Sequence, residues 1–275
     1  MRRSALHALL ALLAGVGHAA VVLGVALEYG YDVGPTSYSV GGVIWRYGGL
    51  VVLGALPAWL ALDARLVTPA VLVGVLAGLA LYAELTPPPP VFRDVAELES
   101  GVDEPTGITV VENGLYLVKY LRAWYVWTAS AALLGVWESV IRTRFQWLPT
   151  PARAWDPPST TRSALLVAAA TGAIHAAASL GFGLDLGLNA SLATWLWMGV
   201  GAVLLLALPA VLLVRRDLAT PMAVATLLLV NSVHSQQDAG PGDPHGLYLG
   251  AWFVFLGIAL APGGVEYGIR RFRSG

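Results

Sequence analysis

Two histidines lie within long apolar stretches, and they are the residues of this sequence with the clearest chemical potential. His18 and His175 occupy equivalent positions in two similar segments, GVGHAAVVLGVALEYG at 15–30 and GAIHAAASLGFGLDLG at 172–187. Because imidazole titrates near neutral pH, such residues could relay protons or contact a polar solute inside a membrane. Two imidazoles at similar depth could instead ligate a haem iron axially. The alternative is a packing role, in which a neutral imidazole bonds to a backbone carbonyl or a hydroxyl across a helix interface.

A second set of polar residues lies near the predicted outer ends of the apolar stretches. Its two arginines could bind an anion or pair with its two glutamates, and snorkelling of the arginines to the membrane interface is the alternative. We treat the set as a candidate outer vestibule. Its members are Glu28, Asp185, Arg46, Glu84, Arg122, Asn231 and His234.

The composition places these residues in a membrane protein. The 275 residues are 57% hydrophobic and 12% charged, whereas soluble domains carry about 25% charged residues. A hydrocarbon core of about 30 Å requires roughly 20 apolar residues in each helical span. The sequence therefore predicts an all-α, polytopic integral membrane protein with eight transmembrane helices, at 5–28, 43–62, 67–85, 116–141, 163–184, 192–214, 220–236 and 246–269.

An internal repeat organises the predicted spans. The two histidine segments align with each other, and further segments follow in the same order. The aligned pairs include Trp45 with Trp197, Pro57 with Pro209, Glu84 with Gln236, Tyr120 with Tyr248, Trp124 with Trp252 and Glu138 with Glu266. This pattern predicts two tandem four-helix repeats in the same orientation, at 1–145 and 162–275, joined by a cytoplasmic linker at 146–161. By analogy with parallel-repeat transporters, a central interface is expected between the two copies.

The arginines predict the orientation. They fall at alternate connections between spans, and this is typical of cytoplasmic loops. Both termini should then be cytoplasmic, and the long acidic loop at 86–118 should be extracellular. Fifteen arginines against one lysine, Lys119, suggest a GC-rich prokaryotic genome, so we expect a prokaryotic plasma membrane. The clustered arginines are Arg2, Arg3, Arg65, Arg142, Arg144, Arg153, Arg162, Arg215, Arg216, Arg270, Arg271 and Arg273.

The end of the long loop contains a turn signal. Residues 108–111 and 115–118 are rich in β-branched and apolar side chains, and they flank Asn113-Gly114. This arrangement favours a type I′ turn, so a small external β-hairpin is predicted near 108–118. The competing interpretation starts the fourth span at Leu115.

Other local signals concern the helix ends. Thr68-Pro69 and Thr220-Pro221 each predict a helix start, with the threonine hydroxyl as the N-terminal cap. Aromatic residues near the span ends, Tyr120 among them, are interpreted as anchors at the membrane interface.

Several function classes are excluded by what the sequence lacks. It contains no cysteine, which excludes disulfides, thiolate metal sites and a cysteine nucleophile. Its basic residues form short clusters rather than the broad basic surface of a nucleic-acid-binding protein. The GxSxG, HExxH, phosphate-loop and dinucleotide motifs do not occur, so no catalytic and no metal-binding residues are predicted.

The preferred hypothesis is a transporter or binding protein for a small solute or ion, with its site between the two repeats. Its partners would be the lipid bilayer and that small molecule or ion. One alternative is a non-catalytic membrane scaffold or assembly subunit. Another is a b-type haem electron-transfer subunit that uses His18 and His175 as iron ligands. An enzyme acting on a lipid is the remaining alternative.

Overall fold

The chain folds into helices that divide into two compact units. The computed structural model describes residues 2–87, 91–94, 108–111, 114–144, 149, 152, 161–238 and 243–274. The first unit lies within residues 1–131, and the second lies within 132–238 and 243–275. The boundary therefore falls inside one helix, at residue 131, upstream of the linker predicted at 146–161. Apart from residues 149, 152 and 161, that linker is outside the described residues.

Within its described residues, the first unit contains four helices and the beginning of a fifth. A short 3-10 turn, Pro35–Ser37, precedes the second helix, and a π-helical turn, Leu60–Ala64, continues it. The helices are α1 (Arg2–Glu28), α2 (Val40–Trp59), α3 (Thr68–Leu85), α4 (Tyr116–Arg122) and α5 (Trp124–Arg144).

Glycines allow α1 and α2 to approach closely. A Cβ added to Gly15 would lie 2.3 Å from the carbonyl oxygen of Val51, and one added to Gly54 would lie 2.7 Å from the Cβ of His18. Small residues at such contacts are typical of helix packing in membranes, where close van der Waals contact replaces the hydrophobic effect. This contact fixes the position of His18 against α2.

The second unit contains the rest of α5 and five more helices. Its core is a cluster of buried apolar side chains that α5, α6, α7, α8 and α10 contribute, Trp137 and Leu206 among them. A Cβ added to Gly201 would lie 2.1 Å from the indole ring of Trp252, so only glycine fits beneath this ring. The helices are α6 (Thr161–Asp185), α7 (Leu192–Arg216), α8 (Thr220–Asp238), α9 (Pro244–Gly250) and α10 (Trp252–Ser274).

Six of the described helices are long and apolar enough to cross a membrane, which supports the predicted class of helical membrane protein. They cover Ser4–Glu28, Val40–Ala64, Thr68–Leu85, Ala164–Asp185, Leu192–Arg216 and Trp252–Phe272. Two of the predicted spans, 116–141 and 246–269, are not continuous helices. Each is interrupted where the backbone leaves the helical region, at Ala123 (φ −89°, ψ 13°) and at Ala251 (φ −99°, ψ 30°).

The hairpin predicted at 108–118 is wrong in its pairing. Strand β2 (Ile108–Val111) does form, but it pairs antiparallel with β1 (Val91–Asp94). Residues from Tyr116 onward are helical, as the competing interpretation expected. The physical reason lies in side chains upstream, because Tyr31 binds the backbone N–H of Leu115 and Glu84 binds that of Leu117. Asn113 lies outside the described residues.

The two Thr-Pro signals mark helix starts correctly, but the predicted caps are wrong. Helix α3 begins at Thr68 and α8 begins at Thr220, and α3 has no side-chain cap at its N-terminus. The Thr220 hydroxyl donates to Glu266 Oε2 at 2.7 Å, and the Thr220 N–H donates to the same oxygen at 2.9 Å. Glu266, on α10, therefore satisfies the first N–H groups of α8, which the threonine was predicted to do.

Candidate functional site

His175 lies at the centre of a sealed polar cluster in the second unit. Its side chain is 0% exposed, between α6, α7 and α9. Nδ1 lies 2.6 Å from the carbonyl oxygen of Ala202, and Nε2 lies 2.9 Å from the Tyr248 hydroxyl. Because a carbonyl only accepts, Nδ1 carries a hydrogen and donates it to Ala202. In the neutral imidazole Nε2 then accepts from Tyr248, so both ring nitrogens are used.

A second buried histidine in this unit, His245 on α9, was not singled out from the sequence. Its Nε2 donates to the Ser179 carbonyl at 2.9 Å, and its Nδ1 lies 3.2 Å from the Ser232 hydroxyl. That hydroxyl has one hydrogen, which it can donate either to Nδ1 or to the Leu229 carbonyl at 2.8 Å. The cluster therefore joins α6, α8 and α9 through polar contacts. The repeat alignment could not have indicated His245, since its counterpart in the first copy is Leu117.

His18 makes the corresponding contact in the first unit, in a more open setting. Its Nε2 lies 3.1 Å from the Tyr120 hydroxyl on α4. Tyr120 is buried, so the prediction that it anchors the membrane interface is wrong. The His18 side chain is half-buried, and among the described residues its Nδ1 has no hydrogen-bond partner. The aligned histidines thus share a tyrosine partner and differ at the other nitrogen.

Glu84 is the most buried carboxylate of the candidate vestibule. It is 4% exposed at the end of α3. Its Oε1 accepts a hydrogen bond from the Tyr31 hydroxyl, and its Oε2 accepts from the Leu117 N–H at 2.9 Å. The Tyr31 oxygen in turn accepts from the Leu115 N–H at 3.3 Å. Burial raises the pKa of Tyr31, which lies between α1 and α2, and the bond to Glu84 raises it further.

Gln236 makes the equivalent contact in the second unit. Its Oε1 accepts from the His245 N–H at 2.9 Å, at the start of α9. The repeat alignment pairs Gln236 with Glu84 and His245 with Leu117. The same backbone group is therefore held by an amide in one unit and by a carboxylate in the other.

The other vestibule residues do not join Glu84 in a common polar site. Arg46 stacks over the Tyr38 ring, with its guanidinium carbon 4.4 Å from the ring centroid. In the part of the chain that the structure describes, no ion pair joins either vestibule arginine to either vestibule glutamate. The remaining five side chains are exposed, namely Glu28, Arg122, Asp185, Asn231 and His234.

The histidine geometry does not fit an axial haem ligand pair. A haem ligand must offer one ring nitrogen to iron. Both nitrogens of His175 are already bonded within its own unit, to Ala202 and to Tyr248. Iron binding would require one of these bonds to break inside a fully buried cluster.

Two cavities lie in the second unit, away from the predicted site residues. A groove of about 850 Å³ runs along α10 between Ile258 and Arg270. A pocket of about 210 Å³ lies between α5, α7 and α8, beside Trp137 and Met222. Their walls are mainly apolar, so neither cavity offers a polar solute a binding surface.

No protein-family model matches this chain, and comparison with curated proteins and with solved structures finds no similar protein.

Proposed function

We propose that this chain is a membrane transport protein for a small solute or ion, and that His18 contacts the transported species. The observation that carries the proposal is the difference between the two aligned histidines. His175 is fully enclosed and uses both ring nitrogens. His18 keeps the tyrosine contact, yet it is half-buried and its Nδ1 is unbonded among the described residues. An ionisable group in a membrane-spanning helix costs free energy, so its presence there indicates a functional role.

The contrast assigns different roles to the two histidine–tyrosine pairs. Burial with complete hydrogen bonding is what a packing role requires. Partial exposure with one nitrogen available is what a solute contact requires. We therefore assign His175 and Tyr248 to the stability of the second unit, and His18 to binding.

We also propose eight membrane spans in two tandem repeats. The recurrence of contacts at aligned positions supports this. Tyr120 bonds to His18 as Tyr248 bonds to His175, and an added Cβ at Gly49 would strike Trp124 as one at Gly201 would strike Trp252. In this proposal α4 with α5, and α9 with α10, each form one interrupted span, and α8 is the remaining span.

The proposed location is the plasma membrane of a prokaryote, with both termini in the cytoplasm and the loop at 86–118 outside. The alternation of arginine-rich and arginine-poor connections supports the orientation.

Transport by the purified chain in liposomes tests the proposal. The probes are radiolabelled sodium, rubidium and chloride ions and a labelled mixture of amino acids, each compared with protein-free liposomes. Uptake of at least one probe is expected. His18→Gln, whose amide can still reach the Tyr120 hydroxyl but which has no polar atom at the position of Nδ1, should reduce this uptake by about tenfold, the effect of losing one polar contact to the transported species.

His175→Asn is the matched control. The asparagine side chain can still donate to the Ala202 carbonyl, so the protein should be less stable but should transport at an unchanged rate per folded molecule. Uptake of none of the probes would overturn the proposal. Equal loss of uptake in the two variants would overturn the assignment of His18.

A membrane scaffold is the second candidate, and the polar cluster of the second unit favours it. His175 uses both ring nitrogens, and Tyr248 and His245 also bond to protein partners, which is the pattern of a structural bundle. The liposome experiment separates the two candidates, because a scaffold moves none of the probes.

A further inference from the structure

We propose that transport is coupled to the binding of a proton at Glu84, and that helix α4 transmits this binding to His18. The inference rests on the transport function proposed above and names its coupling ion. It starts from a buried carboxylate whose two oxygens both hold the same neighbouring segment. Oε2 binds the Leu117 N–H directly, and Oε1 binds Tyr31, whose oxygen accepts the Leu115 N–H.

Helix α4 links Glu84 to His18 over a very short path. Leu117 and Tyr120 are three residues apart, so they are neighbours on one face of the helix. Leu117 is bound by Glu84, and Tyr120 is bound to His18. A movement of α4 at its first turn therefore changes the contact with His18 at its next turn.

The backbone departs from helical geometry on both sides of α4. The helix has seven residues, and the break at Ala123 separates it from α5. Before it, Leu115 has a φ of 63°, a left-handed conformation that is unfavourable for a residue with a Cβ. The contacts of Tyr31 and Glu84 hold this strained start in place. If they weaken, α4 can relax.

Protonation of Glu84 weakens these contacts. Hydrogen bonds to a charged carboxylate are about twice as strong as those between neutral groups. A proton on Oε1 also occupies the site at which the Tyr31 hydroxyl now donates, so that hydroxyl must reorient. The proton is taken up by Glu84 from solvent on one side of the membrane and is released to the other side when the carboxylate forms again, and no other bond is made or broken.

In the second unit the aligned backbone contact is made by a side chain that does not titrate. Gln236 holds the His245 N–H at the start of α9, and an amide neither gains nor loses a proton at physiological pH. The residue aligned with Leu115 is Asp243, which has a negative φ of −122°. Helix α9 is thus held by a permanent contact from an unstrained start. Of these two aligned contacts, only the one in the first unit is made by a side chain, that of Glu84, that can accept a proton.

The surroundings of the Glu84 carboxylate contain its two hydrogen-bond partners and several other charged or titratable side chains on neighbouring elements. Among the described residues, only the Tyr31 hydroxyl and the Leu117 N–H make hydrogen bonds to the Glu84 carboxylate. Other charged or titratable side chains on the elements that pack against α3 are Arg46, Tyr47, Asp63 and Arg65 near α2, and Tyr116, Lys119, Tyr120 and Arg122 on α4.

Hydrogen exchange of the full chain in lipid nanodiscs tests the inference. Exchange of the amides of α4 is measured over the pH range in which the chain stays folded, and it is corrected for the intrinsic pH dependence of exchange. In the wild type, protection of α4 should fall by about tenfold as the pH decreases, because the charge-assisted bonds are lost. Glu84→Gln, which places in the first unit the residue that the second unit already uses, should make protection independent of pH.

Asp243→Asn is the control, because asparagine still caps α9 and the change removes a carboxyl that is remote from α4 in sequence. It should leave the α4 profile unchanged. A flat wild-type profile, or one that matches Glu84→Gln, would overturn the inference.

Luminal pH, reported by trapped pyranine, is followed in the liposomes used for uptake. Uptake with no pH change would overturn proton coupling and leave the transport function standing. Uptake of none of the probes would overturn the transport function, whatever the exchange profile shows.

Discussion

Replacing Tyr248 with phenylalanine isolates the hydrogen bond that completes the buried cluster around His175. The substitution removes one hydroxyl and keeps the ring, so it leaves almost no cavity. The Nε2 atom of His175, 2.9 Å from that hydroxyl, loses its donor. Because Tyr248 is 1% exposed and His175 is 0% exposed, water cannot easily replace it.

The expected loss follows from this burial. An unsatisfied buried acceptor costs about 1–3 kcal/mol. Hydrogen bonds between membrane helices average about 0.6 kcal/mol and reach about 1.7 kcal/mol. Because Nε2 of His175 has no access to solvent, we expect the upper part of the membrane range, about 1–2 kcal/mol of unfolding free energy.

Tyr120→Phe is the matched variant, because it removes the aligned hydroxyl beside the half-buried His18. This imidazole is only half-buried, so the loss should be near the membrane average of about 0.6 kcal/mol. Both variants are unfolded by titration with a denaturing detergent in mixed micelles, and tryptophan fluorescence is the readout. Equal losses, or a larger loss for Tyr120→Phe, would refute the distinction between a sealed and an open histidine.

Three further predictions use other features of the structure. Gly201→Ala should cost about 1–3 kcal/mol in the same unfolding assay, because its Cβ would lie 2.1 Å from Trp252; Gly257→Ala, whose Cβ would meet nothing within 4 Å, should cost nothing. The pKa of Tyr31 is raised in the folded state. The stability that Tyr31 contributes is therefore present below its unfolded pKa and is lost as the pH rises through its folded pKa. The melting temperature of the wild type should fall more steeply above about pH 10 than that of Tyr31→Phe. Because the chain has no cysteine, Ser100→Cys and Ser274→Cys can be labelled singly in whole cells, and an impermeant maleimide should react only with the first; labelling of only the second would reverse the proposed orientation.

Much of the helical pattern could be predicted from the sequence, because hydropathy and length respond directly to the thickness of a bilayer. The starts of α3 and α8 at Thr-Pro pairs were also predicted correctly, because proline is favoured at the first position of a helix. The cap on α8 was not predictable in this way. Glu266 reaches Thr220 from a helix more than forty residues away along the chain.

The site was predicted in part. The histidines were identified because they are isolated polar residues in apolar segments that align. Their tyrosine partners were aligned as well, yet they were interpreted as interfacial anchors, since sequence position near a span end does not distinguish a buried hydroxyl from an exposed one. The breaks at Ala123 and Ala251 were missed because alanine favours helix. At the second break the Gly250 carbonyl accepts a hydrogen bond from the indole N–H of Trp197 at 2.9 Å, a tertiary contact that local propensity does not report.

Helix α4 contains the single lysine of the sequence, so it can be labelled chemically without a substitution. Lys119 is the only lysine of the sequence, and its Nζ lies 5.4 Å from the ring centroid of Tyr116 on the same short helix. An amine-reactive reagent therefore has one side-chain target, located on the helix that separates the buried carboxylate from the histidine. Pulsed acylation followed by mass spectrometry can follow the environment of this helix in the unaltered protein, in native membranes and at any stage of a transport cycle.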